Sequence, residues 1–111
     1  MTEQSQKYLY DILQSIALIE DFTLDVTTFD AYVNGLKTQS AVERQLGIIG
    51  EAVNKFHTSQ SEVSLENSKK IKGFRNRLIH AYDAVDPAIV WVIIKRYLTP
   101  LKDEILQMMK D

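Results

Sequence analysis

"AVERQLGIIGEAVNKF", residues 41–56, places its apolar side chains at Val42, Leu46, Ile49, Val53 and Phe56. Alternating steps of four and three follow the 3.6-residue period of an α-helix, so one apolar stripe runs down a helix expected over about residues 39–57. A stripe of that width needs a matching stripe to pack against. The first segment supplies one: Tyr8, Leu9, Ile12, Leu13, Ile16 and Ile19 line one face of a helix expected over about residues 3–21. Gly47 and Gly50 within "GIIG" would allow a neighbouring backbone to approach closely, at a cost in helix propensity.

The same periodicity organises the rest of the chain. Between the two long helices, Thr28 is placed to N-cap a short helix that stops near Asn34-Gly35. HTSQSEVSLENS, residues 57–68, is polar and is expected to be the main loop. A further helix is expected from about Leu65 to Tyr82 or slightly beyond. Asp86-Pro87 then combines an N-cap residue with proline at the first helical position, starting a last helix over about 87–98. Pro100 should kink or restart it before a tail bearing Leu101, Ile105, Leu106 and Met109. No strand pattern, Gly-rich phosphate loop or internal repeat is found. The expected fold is all-α, an antiparallel bundle of four main helices plus a short one, built as a single domain over residues 1–111.

In AIVWVII, residues 88–94, the apolar residues face every side. A helix apolar all round must be buried all round, which points to a homodimer; the competing reading is that a short connecting segment of the same chain covers the extra face.

Composition narrows the function. The 111 residues are 45% hydrophobic, as in an ordinary globular protein, and include no Cys, which excludes disulfides, thiolate catalysis and Cys-based metal sites. The opening MTEQSQKYLYD lacks the basic and apolar regions of a signal peptide, and the longest apolar run is too short to span a bilayer, so a cytoplasmic protein without membrane contact is expected. Net charge is −2. Yet Lys69, Lys70, Lys72, Arg75 and Arg77 fall between residues 68 and 77 with no acid among them. Such a basic segment on an acidic chain suits phosphate binding, and equally describes a solvated helix face.

That segment runs into "RNRLIHAYD", residues 75–83. At 100° per residue, Ile71, Phe74, Leu78, Ile79 and Tyr82 share the core sector, while Lys69, Gly73, Asn76 and His80 share another face. Arg75 falls within the apolar sector and requires a carboxylate, an anion or a cleft. Glu51, off the stripe of its own helix, is a candidate partner; otherwise it is an ordinary exposed glutamate. Arg75 and His80 are separated by about 140°, so one regular helix cannot aim both at one phosphate, whereas two helices meeting at a two-fold axis can.

Grouped carboxylates, H-E-x-x-H and a nucleophile elbow are all missing from the sequence, so no catalytic metal, cofactor or serine triad is expected. The residues present suit cleavage of RNA by its own 2′-hydroxyl. His80 would act as general base, its counterpart in a second subunit as general acid, and Arg75 would stabilise the phosphorane-like transition state. Asn76 would orient His80 or donate to the phosphate, with Glu51 in support. Lys69, Lys70, Lys72 and Arg77 would hold the flanking backbone. The products would be a 2′,3′-cyclic phosphate and a 5′-hydroxyl. Transfer RNA and messenger RNA both fit such a cleft.

R-N-R-L-I-H-A-Y resembles the R-x-x-x-x-H-x-Y signature of the HEPN superfamily in its HepT-like toxin branch, with Arg75, His80 and Tyr82 at the fixed positions and Asn76 matching the usual Asn. AVERQLGIIGEAVNKF and DPAIVWVIIKRYLTPLKDEI, residues 86–105, resemble the helices on either side, so the likeness covers about residues 5–108. It implies a helical homodimer, a metal-independent endoribonuclease, and a toxin–antitoxin pair whose partner is a minimal nucleotidyltransferase of the MntA type. That partner would silence the toxin by AMPylation of Tyr82, setting negative charge beside Arg75. Helical rotation instead places Tyr82 toward the core, where it would be a packed tyrosine with its hydroxyl reaching solvent. The polar loop before the motif departs from the Pro-Trp turn common in relatives. A different class of function also fits: a non-catalytic nucleotide- or RNA-binding helical partner of a nucleotidyltransferase.

Overall fold

The computed structural model describes residues 1–80 and 85–110, with side-chain surroundings given for 1–74 and 85–110. The described chain is helical: α1 Glu3–Phe22, α2 Phe29–Asn34, α3 Leu36–Ser59, a 3₁₀ turn Glu66–Ser68, α4 Lys69–His80, α5 Pro87–Val92, a π-helical turn Ile93–Tyr97 and α6 Leu98–Lys110. The π turn joins α5 to α6 as one long element, so the all-α arrangement of four main helices and a short one stands as expected.

The two apolar stripes pair. Leu9, Ile12, Ile16 and Ile19 of α1 are fully buried, as are Val42, Leu46, Ile49, Val53 and Phe56 of α3. The helices run antiparallel: the Ser5 hydroxyl, near the start of α1, lies 2.9 Å from that of Ser59 at the end of α3. Thr2 caps α1, accepting from the Ser5 N–H at 3.1 Å. Leu98, Leu101 and Ile105 of α6 and Ile71 and Phe74 of α4 close the core. Outside it, Lys102 of α6 donates to Glu20 near the end of α1 at 3.3 Å.

Thr28 caps α2 as its position suggests, accepting from Ala31 N–H at 3.1 Å. Gly35 ends α2 without the left-handed turn usual for a terminal glycine; its φ is −102°. The chain restarts at Leu36, three residues before the expected position. The reason is Gln39, whose side-chain amide donates to the carbonyls of Tyr32 and Val33 at 3.0 and 2.8 Å. A side chain from the next helix thus satisfies the last carbonyls of α2, and no glycine turn is needed.

Asp86 caps α5 through Ala88 N–H at 2.9 Å, with Pro87 in the first turn. Pro100 does not break the chain where it stands. It lies inside α6, and the irregularity falls before it, in the π turn, where Leu98 N–H reaches back to Ile93. A proline ring crowds the carbonyl four residues upstream, here that of Arg96. Widening the turn that contains Arg96 relieves the crowding and lets the helix continue.

The apolar α5 is covered on one side from within the chain. Trp91 packs against Tyr32 and Phe29 of α2 at ring-centroid distances of 5.7 and 6.3 Å, and Lys95 Nζ sits 4.6 Å from the Trp91 ring. Val90 and Ile93 face the core. Ala88 and Val92 remain exposed, the latter at 42%. The connecting helix therefore accounts for part of the surplus apolar surface and leaves the rest open. No helix among the described residues is long and apolar enough to cross a membrane.

Candidate active site and nucleic-acid interface

α4 begins where two distant side chains fix the preceding segment. Backbone donors at the start of a helical turn have no partners within it. Here Glu104, from α6, supplies them: its carboxylate accepts from the N–H groups of Glu66 and Asn67 at 2.8 and 3.0 Å and from the Asn67 side-chain amide at 3.0 Å. From the other side, His57 of α3 accepts the Leu65 N–H on Nε2 at 3.1 Å. Leu65 and Ser68 are then buried, and the Ser68 hydroxyl donates to the Leu65 carbonyl at 2.7 Å. The loop expected over 57–68 is thus shorter: α3 runs to Ser59, and the 3₁₀ turn occupies 66–68.

The bond from Leu65 requires His57 to be unprotonated at Nε2. Its pKa is held below the ordinary histidine value, first by burial and then by the nearby Lys72 charge, with Glu104 opposing. His57 and Glu104 position the helix that carries the motif, and neither was singled out from the sequence. A polar loop of this length bearing one histidine was the available signal; that Glu104, 37 or more residues away, caps it was not legible in local pattern.

Of the basic residues, Lys69, Lys70 and Lys72 are exposed on the first turn and a half of α4, while Ile71 and Phe74 turn into the core. Among the described residues the ion pairs are Lys7–Asp11, Lys55–Glu51 and Lys102–Glu20, so these three lysines have no described carboxylate within 4 Å. Lys69 stands between two depressions. One, about 670 Å³, is lined by Lys69, Lys70, Gly73, Phe74, α5 and the π turn. The other, about 250 Å³, is lined by Lys69, Lys72, His57 and serines of the preceding loop.

Glu51 is exposed and pairs with Lys55 one turn on, at 3.2 Å. Arg75, Asn76, Arg77 and His80 all lie on the backbone of α4, which continues regularly to His80; their side chains, and with them any Arg75–Glu51 pair, are outside the described residues. Tyr82, the expected modification site, also lies outside the described residues. Gly73 sits in mid-helix on the exposed side, and a Cβ built there would meet nothing within 4 Å among the described residues. Packing among the described residues does not require a glycine at this position, although glycine costs a helix about 1 kcal/mol relative to alanine.

The geometry thus presents a motif-bearing helix fastened at its start and edged by lysines over a groove. Residues 12–108 match the family described as Ribonuclease HepT-like, and the chain belongs to that HepT-like family of the HEPN superfamily. It is 35% identical to "Probable ribonuclease HepT" of Thermococcus cleftensis over 99% of this chain and 100% of that protein. Identity to "Putative RNase MJ0127" of Methanocaldococcus jannaschii is 37%, over 94% and 86% of the two chains. A third relative, "Gamma-glutamylcyclotransferase and putative RNase MJ0434" of the same organism, is 34% identical over the whole of this chain but only 50% of its own length. No solved structure matches significantly. The resemblance read from R-N-R-L-I-H-A-Y and its flanking helices is therefore borne out at the level of family.

Proposed function

We propose that the protein is an endoribonuclease acting without a metal, and the toxin of a toxin–antitoxin pair. The observation that carries this reading is the family match over residues 12–108, which includes Arg75, Asn76 and His80 on one continuous helix. The exposed lysines at the start of that helix support it, since RNA backbone is held largely by such charges. Two copies of α4 across a two-fold axis form the cleft. His80 of one protomer takes the 2′-hydroxyl proton and the second His80 protonates the departing 5′ oxygen. The Arg75 guanidinium neutralises the charge that develops on the phosphorus oxygens, and Asn76 orients the imidazole. Glu51, Lys69, Lys70, Lys72 and Arg77 support the site and the strand. A minimal nucleotidyltransferase antitoxin switches the enzyme off by AMPylation of Tyr82, whose added phosphate repels the RNA phosphate from Arg75.

The test is cleavage of end-labelled RNA in chelator. Wild-type protein is expected to leave 2′,3′-cyclic phosphate ends, with His80→Ala and Arg75→Ala at least 10²-fold slower. If His80→Ala cleaves at the wild-type rate, the mechanism is wrong. If wild-type protein binds RNA and leaves it intact, the non-catalytic reading replaces it.

A further inference from the structure

The apolar part of the larger groove has no role in the proposed chemistry. Its floor is apolar, formed by Phe74 of α4 and Ile89, Val92 and Ile93 across from it, with half-buried Tyr97 at one end and exposed Lys69 and Lys70 on the rim. Its volume, about 670 Å³, lies in the range of small-ligand sites. Gly73 lies on its wall.

We infer that this groove is a nucleobase subsite, in which one base of a single-stranded RNA lies against the Phe74–Ile89–Val92–Ile93 floor and Tyr97 while Lys69 and Lys70 hold the adjoining phosphates. Gly73 is the observation that points to a ligand. Glycine weakens a helix interior, and here a Cβ would touch nothing within 4 Å among the described residues. What glycine provides at such a place is close approach of another molecule to the helix backbone. The occupant must tolerate two lysines at the rim, which favours a phosphate-bearing strand over an apolar peptide. Stacking and apolar contact with a base are tolerant of sequence, as a bundle without base-reading loops requires.

The position fits the proposed cleavage site, on which this inference rests. By helical rotation, positions 69, 73, 76 and 80 share one face of α4. Gly73 and His80 are seven residues apart, about 10 Å along the axis. A base held at Gly73 would therefore belong to a nucleotide close to the scissile phosphate, and the groove would set which single-stranded junctions enter the cleft.

The experiment measures binding in the His80→Ala protein, so that turnover does not interfere. A fluorescently labelled single-stranded RNA of about 12 nucleotides is titrated by anisotropy. Gly73→Leu, which fills the groove, is expected to weaken binding at least tenfold, and Gly73→Ala severalfold, while thermal unfolding of Gly73→Ala stays at or above that of the parent. A scan of abasic positions in the RNA should find one whose loss weakens the parent and leaves Gly73→Leu unaffected. Binding by both Gly73 variants within twofold of the parent overturns the subsite. So does a change in sedimentation mass on Gly73→Leu with RNA affinity preserved, because the groove would then hold a second copy of the chain. A parent that binds RNA but whose wild-type form never cuts it defeats the nuclease reading alone; the Gly73 comparison still decides the subsite. A parent that does not bind RNA overturns both.

Discussion

Removing the Glu104 carboxylate should loosen the start of α4 by a predictable amount. Glu104 accepts three hydrogen bonds, two from backbone donors of Glu66 and Asn67 and one from the Asn67 side chain. Loss of a helix cap costs typically about 1 kcal/mol, and hydrogen bonds to a charged acceptor lie at the upper end of the usual range. Part of the loss is recovered because Glu66 is exposed and Asn67 half-buried, so water reaches both donors. Glu104→Ala is therefore expected to cost about 2–3 kcal/mol, or roughly 8–12 °C in Tm for a chain of this length. Glu104→Gln separates the contributions. Its one oxygen can keep the two bonds from Asn67, which both go to Oε1, and must abandon the Glu66 N–H, which goes to Oε2. About half the loss is expected. Urea unfolding followed by far-UV circular dichroism gives both values, with an unchanged m-value showing that the native and denatured states stay comparable. A cost below about 0.5 kcal/mol for Glu104→Ala, or equal costs for the two variants, would refute the assignment of Glu104 as the cap of this segment.

Two further outcomes follow from the packing and charge. His57 has a depressed pKa in the fold, so as pH falls below its ordinary value near 6.5 the unfolded chain takes up a proton that the folded chain resists. Stability contributed by neutral His57 should thus be full above that pH and decline below it until the folded pKa is passed; the urea midpoint of wild type should drop more between pH 7.5 and 5.5 than that of His57→Gln, and equal drops would contradict the Leu65–His57 bond. Trp91→Ala removes the ring that joins α5 to Tyr32 and Phe29; because Trp91 is only half-buried, a loss of about 2 kcal/mol is expected rather than the 3–5 of a core tryptophan, read by thermal unfolding.

Period and caps are local properties, so the stripes of Val42–Phe56 and Leu9–Ile19, the Thr28 and Asp86 caps and the core face of Ile71 and Phe74 were all legible in the sequence. So was the motif: Arg75, Asn76 and His80 fall on one helix because the apolar spacing around them is helical. Events that depend on a distant partner were not. Gln39 moved the start of α3 by reaching the carbonyls of α2. The effect of Pro100 is local, and a kink near it was legible; that the helix takes it up as a π turn at Ile93–Tyr97 and continues was not. α2 took up one side of an α5 whose sequence asked for burial on all sides.

The sequence by itself determined which residues can do chemistry, because side-chain type and helical register travel with the chain. Only the tertiary structure decided what surrounds the start of the motif helix: a carboxylate from α6, an imidazole from α3, and a groove against α5 that leaves Gly73 open. Those neighbours are separated from α4 in sequence and brought to it by burial of the apolar stripes, which is non-directional and leaves no local pattern at the polar positions it brings together.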